Sequence, residues 1–139
     1  MTELVMKTDF KEMEHEGEPE ITVRLAYIDN VWVRQMHFKK AGDKNHPHFH
    51  TRDHASLLAK GSAKLTVNGK TDVYHAPAMI LVLKDYKHQF EALEDDTLIY
   101  CVHGLRDKSG SIIDADMIPT GTEPECINQY CEDLVPVNR

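Results

Sequence analysis

Short runs of β-branched and aromatic residues, separated by turn signals, recur through the middle of the chain. ITVRLAYI (21–28) and VWVRQMHF (31–38) are two such runs, and Asn68-Gly69 is a dipeptide typical of a two-residue hairpin turn. We see no long amphipathic helical pattern among them, and we expect the apolar run Met79–Leu83 to lie in the core. The sequence therefore predicts an all-β domain, a single antiparallel β-barrel or jelly roll, over residues 21–105.

The two ends of the chain differ from this central segment. Residues 1–20 are polar and acidic, and we expect them to form an extended N-terminal arm. Residues 106–139 lack a clear strand pattern, and we expect a C-terminal tail that packs on the barrel or on a partner subunit. A chain of 139 residues is long enough for one domain with a substantial core and too short for two.

Charge and cysteine content exclude several classes of protein. A net charge of -7 argues against a general binder of nucleic acid or of anionic membranes, because such proteins need a basic face. No apolar run approaches the roughly twenty residues that span a bilayer, and no basic start precedes an apolar run, so we expect neither a membrane segment nor a signal peptide. The three cysteines, Cys101, Cys126 and Cys131, are a sparse, odd set that favours reduced thiols in the cytoplasm. We expect Cys101 to be a small buried residue, whereas the sequence assigns no role to Cys126 and Cys131.

Four histidines fall within the nine residues HPHFHTRDH (46–54). The run HFHTRDHASLLAK (48–60) predicts one long strand, whose side chains alternate between two faces. His48, His50 and His54 then point the same way, and Phe49 points the opposite way. Three imidazoles on one side of a sheet can chelate a metal, whereas an isolated His-x-His is more often a pair of surface or hydrogen-bonded histidines. A further histidine, His88, begins a later predicted strand and favours the metal site.

The spacing around these histidines resembles the first cupin motif. That motif reads Gly, five residues, His-x-His, three or four residues, Glu, six residues, Gly. The chain matches every fixed position except the glutamate, which is a histidine, in the order Gly42, His48, His50, His54 and Gly61. His88 stands where the second cupin motif has its metal ligand, although the other marks of that motif are absent. The resemblance covers roughly residues 21–105 and identifies the chain as a small mono-cupin.

The resemblance implies a divalent transition metal held at the wide end of the barrel by His48, His50, His54 and His88. Imidazole suits Fe, Mn, Ni, Co, Cu and Zn alike, so the ligand type does not choose among these metals. Four neutral imidazoles leave the 2+ charge of the ion uncompensated, where a glutamate would reduce it by one. Such a centre favours small anionic ligands, and four ligands on a roughly octahedral ion leave two positions open.

Three functions are compatible with such a site. The leading hypothesis is an oxidoreductase of the dioxygenase type that acts on a small organic anion. The alternatives are a redox-neutral isomerase or lyase that uses the metal as a Lewis acid, and a non-catalytic module that binds a metal or a small ligand.

The remaining histidines supply further candidates. His37 and His103 lie near strand ends, where a hydrogen-bonded histidine is the usual case, but either could line the pocket as a catalytic proton acceptor. We expect His46, which lies outside the motif, at the rim. Since cupins of this size commonly pair, we also expect a homodimer in which the N-terminal arm or the C-terminal tail crosses between subunits.

Overall fold

The fold is known from a computed structural model, which describes residues 11–13, 21–45 and 47–113. These residues form strands and connections, and no helix occurs among them. The strands, in chain order, are β1 (Lys11–Met13), β2 (Ile21–Ile28), β3 (Val31–Phe38), β4 (His54–Lys60), β5 (Ser62–Val67), β6 (Lys70–His75), β7 (Ala78–Val82), β8 (His88–Ala92) and β9 (Thr97–Gly104).

All strand pairs are antiparallel, and the strands form two sheets. The larger sheet has the order β1-β2-β3-β9-β4-β7, and the smaller has the order β6-β5-β8. Along β3 and β9, buried side chains alternate with partly exposed ones, so each strand has one inner and one outer face. Side chains from both sheets, such as Leu25 and Phe90, share one hydrophobic core. The two sheets therefore pack face to face as a jelly-roll sandwich, which confirms the predicted all-β fold.

Local sequence patterns predicted several strands correctly. β2 and β3 have the predicted bounds and pair with each other along their whole length. The hairpin between β5 and β6 turns at Asn68 and Gly69, whose φ angles of 50° and 79° match the left-handed conformation that this dipeptide favours. Cys101 is buried, as predicted.

Two predictions about strands are wrong. The stretch from Phe49 to Asp53 is not part of a strand, because β4 begins only at His54. The apolar run Met79–Leu83 is not wholly core. Ile80 and Val82 are buried, whereas Met79 and Leu81 are 81% and 67% exposed. The reason is that side chains alternate along β7, so Ile80 and Val82 face the core while Met79 and Leu81 face outward.

The ends of the chain are described only in part. Within the predicted N-terminal arm, β1 pairs with β2, and within the predicted C-terminal tail, Arg106 and Ile112 form a bridge. Residues 1–10, 14–20 and 114–139, which include Cys126 and Cys131, lie outside the described residues, as does His46. In the described part of the chain, no helix is long and apolar enough to cross a membrane.

Gly61 connects β4 to β5 at a position that has no room for a side chain. Its φ is +86°, and a Cβ built on it would lie 2.4 Å from Thr97 Oγ1 and 3.0 Å from Thr97 Cα. Gly69 has a similar φ of +79°, but a Cβ there would meet nothing within 4 Å. Left-handed backbone costs a non-glycine residue about 1–2 kcal/mol.

We therefore expect Gly61→Ala to lower the free energy of unfolding by more than this backbone cost, because the clash with Thr97 adds to it. The matched control Gly69→Ala carries the backbone cost alone. Urea unfolding of the two variants measures the difference. Equal losses of stability in both variants would show that the contact with Thr97 does not constrain this turn.

Candidate metal site

The site begins with a row of side chains on the inner face of the larger sheet. In the register between β3 and β9, Trp32 pairs with His103. His54, the first residue of β4, lies on the other side of β9, and its ring stacks on that of His103 with centroids 4.5 Å apart. The two histidines thus approach from neighbouring strands that are far apart in sequence.

The smaller sheet contributes His88, the first residue of β8. His88 exchanges two backbone hydrogen bonds with His48: the His48 amide donates to the His88 carbonyl at 3.1 Å, and the His88 amide donates back at 2.9 Å. This pair holds the two rings 4.5 Å apart. The His50 carbonyl accepts a hydrogen bond from the Asp85 amide at 2.8 Å. The backbone is therefore held by hydrogen bonds at His50 as well as at His48.

Five rings meet between the sheets, and we call them the histidine cluster: His48, His50, His54, His88 and His103. Their ligand atoms form two sets of three in which every atom lies within 4.8 Å of the others. One set is His48, His50 and His88, and the other is His50, His54 and His103. His50 belongs to both. In the ranges that the structure describes, neither set includes a carboxylate.

His88 shows that the cluster is suited to a metal. Its Nδ1 lies 3.1 Å from the carbonyl of Tyr86, and since a carbonyl only accepts, this nitrogen carries the ring proton. Nε2 then has a free lone pair, and it is buried with no hydrogen-bond partner in the described part of the chain. A neutral imidazole that donates one ring N–H to a backbone carbonyl and keeps its other nitrogen unprotonated is the form that binds transition metals. The residues therefore fit such an ion.

A second layer of polar side chains lies next to the cluster on the larger sheet. Ser56, which is fully buried, has its hydroxyl 3.4 Å from His54 Nε2 and 3.4 Å from the sulfur of Cys101. Ser56 and Cys101 are paired in the register between β4 and β9. These contacts orient the His54 ring, as hydrogen-bonding partners commonly do for histidines in metal sites.

Burial favours the neutral form of His50, His88 and His103. It lowers the pKa of His50 to about 2, and the neighbouring ring of His103 is the next cause. Burial likewise lowers the pKa of His103 to about 2, followed by the effect of His54. The pKa of His88 is also lowered, first by burial. Neutral imidazole is the form that binds a metal, so the folded chain presents these three rings in the form that binds a cation at neutral pH.

These pKa shifts make the metal-free protein sensitive to acid. The unfolded chain takes up protons on these histidines near pH 6.5, whereas the folded chain does not until about pH 2 for His50 and His103. Stability is therefore fully present above about pH 6.5 and falls as the pH falls towards 2. We expect losses of up to about 1.4 kcal/mol per pH unit for each histidine.

Thermal unfolding of the metal-free protein at pH 7, 6 and 5 measures this dependence. His103→Gln should show a shallower dependence, because one of the shifted groups is gone. Val73→Gln, at an exposed site on β6, is the control, because it changes no titratable group and should keep the slope of the wild type. A midpoint that stays constant from pH 7 to pH 5 would contradict the burial of neutral rings.

The structure brings the four predicted ligands into the cluster and adds His103 to them. His37 does not reach it, because this residue lies on the outer face of β3 and contacts the carboxylate of Asp96. Phe49 is 56% exposed and His50 only 3%, so these neighbours point in opposite directions as predicted. The prediction for His46 falls outside the described residues.

Comparison with known proteins identifies the fold. No family model matches the chain, and no curated protein matches it. Among solved structures, a cupin-2 domain from Rhodospirillum rubrum has a TM-score of 0.60 and 16% identity, with 77% of each chain covered. KdgF from Halomonas sp. has a TM-score of 0.59 and 19% identity, and the match covers 71% of this chain and 89% of that one.

A third structure, an RmlC-like cupin from Shewanella frigidimarina, has a TM-score of 0.57 and 16% identity over 74% of this chain and 89% of that one. The chain therefore has the cupin fold, with histidine groups that could hold a metal.

Proposed function

We propose that this cupin-fold chain binds a divalent transition metal in the histidine cluster and acts as an oxidoreductase of the dioxygenase type on a small organic anion. The observation that carries the proposal is the composition of the cluster. The cluster has two overlapping sets of three histidines, and within each set the ring nitrogens lie within 4.8 Å of one another. No Asp or Glu side chain is buried among the described residues.

Charge supports an anionic substrate. Neutral imidazoles leave the charge of a bound divalent ion uncompensated, and a buried charge is stabilised strongly by an opposite one. When bound, such an ion supplies a Lewis-acidic centre and, if it is redox-active, a partner for O₂. The chain holds the ring nitrogens in place and surrounds them with buried side chains, such as Phe90 and Trp32, that exclude water.

Oxidation is favoured over proton transfer because the described surroundings of the cluster offer few proton acceptors. An isomerase or lyase needs a protein base near the substrate. The guanidinium of Arg34, buried nearby, only donates hydrogen bonds. Of the two predicted proton acceptors, His37 lies outside the cluster, and His103 belongs to one of the ligand sets.

The proposal is tested by elemental analysis of protein purified without added metal, followed by O₂ uptake with a panel of β-diketones, catechols, thiols and 2-oxo acids. Metal-dependent oxygen consumption with one of these substrates would support the proposal. Turnover without oxygen would instead identify an isomerase or lyase, and binding without turnover would identify a non-catalytic module. His37→Ala is the control variant and should retain all activity of the wild type.

We also propose a homodimer in which β7 of one chain pairs with β7 of a second copy. Among the described strands, β7 lies at an edge of the larger sheet, and it presents Met79 and Leu81 outward, largely exposed. An apolar edge strand is a template for pairing with another chain, and a second copy supplies the same surface.

Light scattering at micromolar concentration should give about twice the 15.9 kDa mass of one chain. Leu81→Lys should shift the protein to the monomer, because it places a charge in the apolar contact. Val73→Lys, at an exposed site in β6, is the control and should leave the dimer intact. A wild-type mass of one chain would refute the dimer.

A further inference from the structure

A cavity of about 660 Å³ lies between the segment that joins His50 to His54 and the segment that follows β9. One wall is Arg52, which is two residues away from each of these histidines in the chain. The opposite wall is the turn after β9. The described residues that line the cavity are Arg52, Arg106, Asp107, Lys108, Ser109 and Ile113.

The wall formed by the turn is attached to the end of β9 that carries His103. The Ile113 amide donates a hydrogen bond to the Leu105 carbonyl at 2.8 Å, and a Cβ built on Gly104 would lie 3.8 Å from Ile113 Cδ1. Gly104 directly follows His103, which shares a ligand set with His54. Both walls of the cavity therefore continue from residues of the same ligand set, and the cavity flanks the metal site.

The lining of the cavity is basic in a chain whose net charge is -7. Among its described residues, Arg52, Arg106 and Lys108 are basic and Asp107 is acidic. The carboxylate of Asp107 is engaged within its own turn, where Oδ1 accepts hydrogen bonds from the amide and the hydroxyl of Ser109 at 2.9 and 2.6 Å. Arg106 also has an interaction of its own, so we assign ligand binding to Arg52 and Lys108.

Electrostatics agrees with this arrangement of the two walls. Hydrogen bonds, first from the hydroxyl of Ser109, lower the pKa of Asp107, and the charge of Arg52 lowers it further. Arg52 therefore lies close enough to act on the turn across the cavity. A chain with a net negative charge repels an anionic substrate, whereas a concave and locally basic surface attracts one.

We propose that Arg52 and Lys108 bind a second acidic group of the ligand whose first acidic group occupies the metal site, so that the substrate class is a small organic dianion. This inference rests on the proposed function. Guanidinium and ammonium groups only donate hydrogen bonds, and an oxyanion only accepts them. The guanidinium fork matches a carboxylate or a phosphate, so the second group is one of these. The cavity volume lies within the range of about 300–1,000 Å³ that is usual for small-molecule sites.

Titrations of the Co²⁺-loaded protein with malonate, glutarate and pimelate test the proposal, with the visible absorption of the ion as the signal. Valerate is the reference ligand, because it has the length of glutarate but a single acidic group. We expect the wild type to bind at least one of the dicarboxylates about tenfold more tightly than valerate, the combined effect of two exposed charge contacts.

Arg52→Gln and Lys108→Gln each remove one charge at an exposed position. Each variant should bind that dicarboxylate about threefold to fivefold more weakly and valerate as the wild type does, and the double variant should bind the two ligands alike. Lys70→Gln is the matched control, because Lys70 is an exposed lysine at the start of β6 and does not line the cavity. It should keep the ratio of affinities of the wild type.

A further ligand, 4-phosphonobutyrate, distinguishes the two kinds of acidic group, because it carries a phosphonate in place of one carboxylate of glutarate. If it binds more tightly than glutarate and this gain is lost in Arg52→Gln, the second group is of the phosphate type. Tighter binding of glutarate identifies a carboxylate. Either result supports the site.

A ratio of dicarboxylate to valerate affinity that is the same in the wild type and in the double variant would overturn the inference and leave the metal site in place. Chelation of the ion by both carboxylates would give this result, since it does not involve the cavity. A wild-type protein that does not bind Co²⁺ would overturn the proposed function and, with it, the inference. The Co²⁺ titration precedes the titrations with anions and so distinguishes the two failures.

Discussion

His50→Ala is expected to abolish tight metal binding, with a loss of at least roughly a hundredfold in affinity. His50 is the residue that the two ligand sets share, so its removal leaves two histidines in each of them. Structural zinc sites bind their ion with about 10–16 kcal/mol, which corresponds to several kcal/mol for each of four ligands. Titration with Zn²⁺ or Co²⁺ at pH 7 measures the loss.

Single variants at His48 and His103 provide the comparison. His48→Ala leaves the set of His50, His54 and His103 intact, and His103→Ala leaves the set of His48, His50 and His88 intact. Each should therefore lose less affinity than His50→Ala. Equal losses at all three positions would mean that one ion uses the whole cluster, and an unchanged affinity in His50→Ala would remove the cluster as the metal site.

His54 stands where the first cupin motif has glutamate, and replacing it by glutamate changes the charge of the centre. His54→Ala should weaken metal binding and open a further coordination position without changing the charge. His54→Glu should restore the ligand and lower the net charge of the loaded site by one. We expect the Glu variant to bind azide about tenfold more weakly than the wild type, because a negative ligand opposes the anion at short range.

Titrations of metal and of azide on the two variants separate ligand number from charge. His46→Ala is the comparison variant, since the sequence places His46 outside the motif. If His54→Ala keeps the metal affinity of the wild type while His46→Ala loses it, the histidines of this segment have been assigned to the wrong roles. Azide affinity that is unchanged in His54→Glu would show that the charge of the site does not govern anion binding.

Patterns that act over a few residues were enough to predict most of the fold. β2 and β3 have the predicted bounds because β-branched and aromatic residues alternate in them, and Asn68-Gly69 forms the predicted turn because both residues accept a positive φ. The prediction for Phe49–Asp53 was wrong because the alternation of side chains does not reveal where strand pairing begins.

The four histidines of the predicted ligand set could be recognised because their spacing is local or follows a known motif. Their convergence does not come from one long strand, as the sequence had suggested. It comes from a backbone pair between His48 and His88 and from the start of β4 at His54. The same four residues thus converge through backbone pairing between segments that are far apart in the sequence. Local sequence patterns do not specify this pairing.

The sequence by itself determined most of the segments that form strands and which histidines lie close together along the chain, because these depend on neighbouring residues. The tertiary structure decided which side chains face the cluster. β9 enters the larger sheet between β3 and β4, and this pairing brings His103 beside His54 and places Arg34 one row away. His37, on the same strand as Arg34, differs from it by an odd number of residues and faces outward. Because side chains alternate along a strand, the face of each depends on how that strand is placed in its sheet, which no local pattern specifies.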